Sequence, residues 1–373
     1  MIEVSSPGKL FLSGEWAVLE IGNPGIVAAV NKRVHVEIEE AEEFSLTIDD
    51  FKIKDLPFSL ENGEVKFGRE LSDYEKEKLI FPKASIETAI KYLGKTKPFR
   101  LRSWGEISQI EVEGKPKKIG FGSSAASVVS FITGILAFNG INIEEKKTKD
   151  IIYKLSAIAH YFAQGKIGSA FDVAASTYGG IFAYKRFDPA WLMKQFEKGK
   201  TVKEIVESEW PEFLVEELEI PEGFRLDIAW TGDSASTSAM VKQINEFKEK
   251  NPEECKRIFN QIANLVKDLI SAWKNKNKEK ILENLRKNEI YLRELTEKSG
   301  VNIETPELRK LSEIANQCGA AGKLSGAGGG DCGIAVSFDE EISKKVRKAW
   351  KEAGFHLIDA RIDYKGVEVE NQP

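Results

Sequence analysis

Two hydrophobic periodicities alternate along the chain. "RVHVEIE" (33–39) sets apolar residues against charged ones with a period of two, and "FSLTID" (44–49) does the same, so both predict strands with one face on a core. "PGKLFLSGEWAVLE" (7–20) is a further strand segment, its apolar run broken at Gly14. "SIETAIKYLG" (85–94) predicts a short helix ending at Gly94, and "LRSWGEISQIEVEG" (101–114) a polar hairpin or loop. The period then lengthens. One helix is expected from about 123 to 138 and another from about 147 to 163, where Ile151, Ile152, Leu155, Ile158 and Ala159 share a face. "GGIFAYKRF" (179–187) returns to strand.

Residues 186–222 break this pattern with prolines and a high charge density, and are read as a crossover between an N-terminal domain (1–185) and a C-terminal domain (223–373). The second half opens on a strand, "FRLDIAWTG", and continues with three helical stripes. Ile258, Ile262, Leu265 and Leu269 form the first; Ile281, Leu285, Leu292 and Leu295 the second; Leu308, Leu311 and Ile314 the third, with Thr305 as N-cap and Pro306 in the first turn. A glycine loop at 326–330, a strand "DCGIAVSF", a helix at 341–353 and a strand "HLIDARID" close the chain. The expected class is α+β.

At 373 residues, two domains are the usual solution. A hydrophobic content of 42% with 30% charged residues describes a soluble globular chain. Apolar runs such as 127–138 fall short of the roughly 20 residues that span a bilayer, and "MIEVSSPGK" lacks a basic region followed by an apolar one, so no membrane partner and a cytoplasmic location are expected. The net charge of −5 argues against nucleic acid. Three cysteines without a C-x-x-C pair indicate neither a disulfide framework nor a zinc site, and the three histidines are scattered.

Chemistry concentrates in four segments. "KKIGFGSSAASVVSF" (117–131) contains Gly120-x-Gly122-x-x-Ala125, the spacing of a dinucleotide fingerprint. A Rossmann unit needs a buried parallel strand before that motif, and "EVEGKPKK" is charged and proline-containing. What remains is a glycine loop opening a helix, whose free amides and dipole suit a phosphate, with Ser123 and Ser124 as hydroxyl ligands for the Mg2+ that accompanies a triphosphate. "SSPGKLFLSGEW" (5–16) places Lys9 after Pro-Gly at a strand start. "GKIGSAFDVAASTYGG" (165–180) presents Asp172 near the start of a small-residue helix. "KLSGAGGGDCG" (323–333) has four glycines in five positions and is read as a flexible flap over a ligand.

Taken in order, a Pro-Gly-Lys segment, a Gly-x-Gly-Ser-Ser-Ala loop, a Gly-x-x-x-Asp segment and a late Gly-x-Gly-Gly-Gly loop resemble the GHMP kinase superfamily over residues 5–333. "QGKIGSAFDVAAS", "AWTGDSASTSAMV" and "SGAGGGDCG", with Asp331 after the glycines, are most similar to its phosphomevalonate kinases. The resemblance implies an N-terminal ribosomal-S5-like α+β domain, a C-terminal ferredoxin-like α+β domain and an active site between them. It implies transfer of the γ-phosphoryl group of MgATP to phosphomevalonate in the mevalonate route to isoprenoids. Mevalonate kinase, diphosphomevalonate decarboxylase and an inactive nucleotide sensor are the alternatives.

The same resemblance assigns Gly120, Gly122, Ser123, Ser124, Ala125 and Ser127 to ATP, with Trp104 a candidate wall of the adenine pocket. Ser124 and Ser123 go to Mg2+, and Lys9 and Asp172 to the reacting centre. Ser13, Glu15, Gly326, Ala327, Gly328 and Gly329 are expected around the acceptor. Ser234, Ser236, Thr237 and Ser238, at what looks like a helix start, are candidate donors to an acceptor phosphate, and Lys166 and Arg186 further candidate cations.

Overall fold

The computed structural model describes residues 1–105, 109–112, 115–232 and 236–370, and the side chains of all these except 109–112 and 115–118. Among the described residues the largest sheet has nine strands and is organised by Pro24–Glu40. That strand pairs along one edge with Ile2–Ser13, and along the other with Ile181–Lys185 near its start and Phe99–Gly105 near its end. The expected alternation holds there: Val34, Val36 and Ile38 are buried while Arg33, His35 and Glu37 are not. Ser45–Ile48, Ile53–Glu61 and Glu64–Phe67 extend the sheet.

Ile2–Ser13 and the first part of Pro24–Glu40, residues 24–30, are buried on both sides over most of their length, which is what allows an unbroken apolar run such as "LFL". Phe11, Val27 and Ala29 face one core, shared with the helices Ile80–Leu93, Ser123–Phe138 and Lys146–Ala163. Leu10, Leu12, Ile26 and Ala28 face a second core, shared with the antiparallel pair Pro252–Lys274 and Lys278–Ser299. Neighbouring side chains of one strand therefore bind the two halves of the molecule together.

Beyond that second core lies a four-stranded antiparallel sheet, in the order Ala321–Leu324, Cys332–Ser337, Arg225–Trp230, His356–Ile358. The helices Pro306–Gln317 and Glu340–Glu352 cover its other face through Leu311, Ala315, Val346 and Trp350. Thr305 caps the former as expected, its Oγ1 accepting from the Leu308 amide at 3.2 Å. The class is α+β.

The segment 186–222 is packed along its course: Leu192, Val202, Ile205, Val206 and Trp210 belong to the first core, Leu214–Glu217 pairs with Ile181–Lys185, and Leu218 belongs to the second core, so the chain passes from one core to the other here. The chain end also returns, with Glu368–Glu370 pairing with Ile2–Ser13. In both places the apolar positions are spaced for burial, and the many charges lie on the solvent side. "EVEGKPKK" enters an antiparallel hairpin of Gln109–Val112 with Lys115–Lys118, not a buried parallel strand. No helix of the described residues is long and apolar enough to cross a membrane.

Candidate active site

The helix Ser123–Phe138 starts abruptly because Gly122 precedes it at φ 78°, a left-handed conformation that glycine adopts without strain. A Cβ there would also crowd Lys9, 3.0 Å from its Cγ, and touch Asp172 Cβ at 3.5 Å. The bare α-carbon of Gly122 is thus the floor between the expected cation and the expected acid. The first amides of the helix, having no intrahelical acceptor, add donors and a positive dipole end at the same place.

Lys9 is aimed by its strand. Proline has no amide to give to a ladder, and the pairing register with Pro24–Glu40 shifts between Pro7 and Gly8, immediately before Lys9. The Lys9 amide then donates to Phe121 O at 2.8 Å and its Nζ to Gly120 O at 2.5 Å, 5.6 Å from the centre of the Phe171 ring. Asp172 is the second residue of the helix Phe171–Tyr178, and its Oδ1 accepts from the Val173 amide at 2.9 Å.

Behind the loop lies His160, 3% exposed, with its Nε2 3.2 Å from Ser124 Oγ and 3.9 Å from Asp172 Oδ2. Burial pushes this imidazole below its ordinary pKa, against a smaller upward pull from Asp172. From the C-terminal half, Asp331 Oδ1 accepts from the Gly120 amide at 3.0 Å. Gly120 has no room for a side chain, since a Cβ would sit 1.7 Å from Asp331 Oδ2.

These groups border two cavities. One, of about 310 Å³, is lined by Lys9, Glu15, Asp172, Thr237, Ser238 and Gly326 among others. The second, of about 540 Å³, is lined by Asp50, Phe51, Lys78, Phe81, Ser103 and Ser127 among others. Ser123 and Ser124 line both. Two compartments that share one pair of serines in their walls, with an ammonium and a carboxylate lining the smaller, suit a reaction between two bound molecules.

Beneath the first cavity the halves are locked by a buried ionic cluster. Lys323 Nζ donates to Glu15 Oε1, both side chains being 1% exposed, and Glu289 Oε2 accepts from the Leu324 amide at 3.0 Å. Burial raises the Glu15 pKa, with Lys323 opposing it. Burial also pushes Glu289 up to about 8. Ser325 Oγ accepts from the Phe11 amide and donates to Phe11 O, each at 3.0 Å.

The first cavity thus collects Lys9, Glu15, Gly120, Gly122, Ser123, Ser124, Asp172, Thr237, Ser238, Gly326 and Ala327, and the second Ser127. Other expected residues sit elsewhere. Ser13 is fully buried and donates to Asn288 Oδ1 at 2.7 Å, a contact between the halves. Trp104 stacks on His35 with centroids 5.3 Å apart; strand alternation turns Ser103 to the cavity in its place. Lys166 Nζ lies 5.6 Å from the centre of the Phe162 ring, outside the cavity lining.

Arg186 donates to Leu19 O at 3.0 Å and Gly168 O at 2.9 Å, so it ties down the 165–170 loop from behind. Ala125 is buried and offers only backbone. Ser236 caps the helix Thr237–Lys250, accepting from the Ala239 amide at 3.4 Å. Gly328 and Gly329 are not a free flap: the Gly329 amide donates to Ile303 O at 2.8 Å, and Gly328 packs on the same carbonyl. Ser234 lies outside the described residues. Sequence reasoning passed over His160, the cavity-lining Ile167, Ser169 and Phe171, and the partners Lys323 and Glu289. A helical wheel was the one available signal for His160, placing it on the buried side with Ser156 and Ala157.

The family model of the GHMP kinases N terminal domain matches residues 81–180, and that of the GHMP kinases C terminal matches residues 269–356. A phosphomevalonate kinase of Streptomyces sp. (strain CL190) is 30% identical over 365 residues, covering 94% of each chain. A mevalonate kinase of Pyrococcus abyssi is 27% identical over 383 residues, covering 99% of this chain and 98% of that one. The solved structure of Streptococcus pneumoniae phosphomevalonate kinase in complex with phosphomevalonate and AMPPNP superposes with a TM-score of 0.80 at 26% identity, over 97% of this chain and 100% of that one.

Proposed function

The chain belongs to the GHMP kinases, and on that premise we propose that it transfers the γ-phosphoryl group of ATP to the phosphate of (R)-5-phosphomevalonate, giving 5-diphosphomevalonate and ADP in the mevalonate route to isoprenoids. The observation that carries this reading is the pair of cavities that share Ser123 and Ser124 in their walls, with Lys9 and Asp172 lining the smaller. The larger takes the nucleoside and the smaller the acceptor. The proposed location is the cytoplasm, where ATP is supplied.

A phosphate acceptor has a second pKa of about 6 and is already largely dianionic at neutral pH, so little is gained by taking a proton from it. The difficulty is to bring two anions together. Lys9 supplies the charge that offsets them, its ammonium held by Gly120 O at the edge of the loop. Asp172, beside Lys9 across Gly122, orients that ammonium. Thr237 and Ser238, at a helix start facing the smaller cavity, donate to the acceptor phosphate. Glu15 is neutralised by Lys323, so the buried carboxylate does not repel an anionic acceptor.

Mg2+ fits the donors present. Ser124 Oγ and an Asp172 carboxylate oxygen both lie close to His160 Nε2, and hard oxygens suit this cation. Ser124 and Asp172 would hold the ion beside the nucleotide it accompanies, since among the described residues no group of three or more His, Cys, Asp or Glu side chains could hold a metal ion. When bound it supplies charge neutralisation at the phosphates.

A second reading, mevalonate kinase, is favoured by the Pyrococcus abyssi relative. Phosphorus NMR of the product separates the two: the proposed reaction gives the paired doublets of a diphosphate ester, whereas mevalonate as the acceptor gives a monoester singlet. Formation of the monoester from mevalonate, with phosphomevalonate left unchanged, refutes the proposal.

A further inference from the structure

We propose that His160 is a positioning residue for this reaction: its Nε2 accepts the Ser124 hydroxyl proton, so that the Oγ lone pairs face the opening where the two cavities meet. The proposal rests on the nucleotide reading above, but not on the identity of the acceptor.

His160 is placed for that task alone. It projects from the helix Lys146–Ala163, is 3% exposed, and packs against the Phe81 ring with centroids 5.1 Å apart. Phe81 lines the larger cavity, Asp172 the smaller, and Ser124 both, so one buried imidazole touches the wall of each compartment. Its partner follows from distance. Ser124 Oγ at 3.2 Å is within hydrogen-bond range, while Asp172 Oδ2 at 3.9 Å is beyond it.

A serine hydroxyl has one proton and two lone pairs. If Ser124 accepts from an imidazole N–H, one lone pair is lost to the protein and the proton is left pointing into the cleft. If it donates, both lone pairs remain for a cation, and the proton is directed away from that positive charge. The second arrangement requires the ring to carry its hydrogen on Nδ1, leaving Nε2 to accept. A hydroxyl that binds a cation through oxygen is also a stronger donor, so the two contacts reinforce one another.

The test is calorimetric binding of ADP with and without Mg2+ to the wild type, His160→Gln and His160→Leu, with thermal melts to confirm folding. Glutamine can place Oε1 where Nε2 stands and accept the proton, while leucine fills space and accepts nothing. All three are expected to bind metal-free ADP alike. Mg2+ should tighten binding equally in the wild type and His160→Gln, while His160→Leu loses about tenfold of that tightening, the usual effect of removing a group that orients a metal ligand.

The proposal is overturned if His160→Leu retains the full Mg2+ effect, or if His160→Gln loses as much as His160→Leu. No acceptor is present in this experiment, so an error in the acceptor leaves its outcome unchanged. Failure of the wild type to bind ADP would instead remove the kinase reading and this proposal together.

Discussion

The amide of Gly120 donates to Asp331 Oδ1 at 3.0 Å, joining the loop that opens the Ser123–Phe138 helix to the glycine loop of the C-terminal half. Asp331 is fixed in turn, its backbone oxygen accepting from the Thr231 amide at 2.9 Å and Thr231 Oγ1 at 3.1 Å. One donor of the loop before that helix is therefore committed to the other half of the protein.

Gly120→Ala forces a methyl group against the Asp331 carboxylate and should cost about 2 kcal/mol of stability, within the range of overpacked sites. It should also lower kcat/KM by about 10²-fold through misplacement of the loop. Adding Asp331→Gly removes the obstacle, so urea denaturation of the double variant should show it more stable than Gly120→Ala alone. An additive pair would mean that the contact does not constrain the loop.

Lys9→Met should reduce kcat/KM by about 10²–10³-fold, the scale of losing one charged group that stabilises a transition state. Its melting temperature should stay close to that of the wild type, because the Lys9 amide still donates to Phe121 O. Near-normal turnover would contradict the neutralising role.

Asp172→Asn should lower kcat about 10²-fold while leaving the acidic limb of the pH–rate profile in place, since an orienting group is not the base of the reaction. Loss of the acidic limb together with turnover would make Asp172 a general base.

Ser13→Ala distinguishes packing from binding. The hydroxyl donates to the buried Asn288 Oδ1, which also accepts from the Gly14 amide at 3.3 Å, so its removal should destabilise the protein by about 1 kcal/mol. Neither KM should move. A raised acceptor KM with unchanged stability would restore Ser13 to the acceptor site.

Glu289 gives the protein a pH dependence of definite sign. Its folded pKa is raised from 4.5 to about 8, first by burial and then by the Glu304 and Glu15 charges, with Lys323 opposing. The folded state therefore keeps a proton that the unfolded chain has released, and stability from this group falls as pH rises from the unfolded value through the folded one. Denaturant midpoints of Glu289→Gln, measured across that window, should fall less steeply than those of the wild type. Parallel slopes would mean that Glu289 is ionised in the folded protein.

The parts legible in the sequence were those where one local requirement dominates. The helix expected from about 123 to 138 is Ser123–Phe138, because a left-handed glycine ends the loop and an almost wholly apolar run must be buried. The three stripes of the second half became Pro252–Lys274, Lys278–Ser299 and Pro306–Gln317. In residues 186–222 the charges outnumber the few apolar positions, so the sequence does not show that this segment packs on the first core before Leu218 reaches the second. Ile53–Glu61 and Glu64–Phe67 were passed over, being short, highly charged and interrupted by Pro57.

At the site, motif spacing located Lys9, Ser124 and Asp172 but could not tell which polar members face inward to hold the scaffold. Ser13, Arg186 and Gly328 do so. Lys323 and Glu289 are the converse case: ionisable side chains that sequence alone would leave in solvent are buried beneath the cavity, Lys323 against Glu15 and Glu289 against the Leu324 amide.

The central claim is that the acceptor is itself a phosphate, and ADP release coupled to a reporter reaction tests it most directly, with mevalonate, phosphomevalonate and diphosphomevalonate compared at fixed ATP and Mg2+. Turnover with phosphomevalonate, at a kcat/KM well above that with either of the others, is the predicted result. A higher kcat/KM with mevalonate or diphosphomevalonate would contradict it.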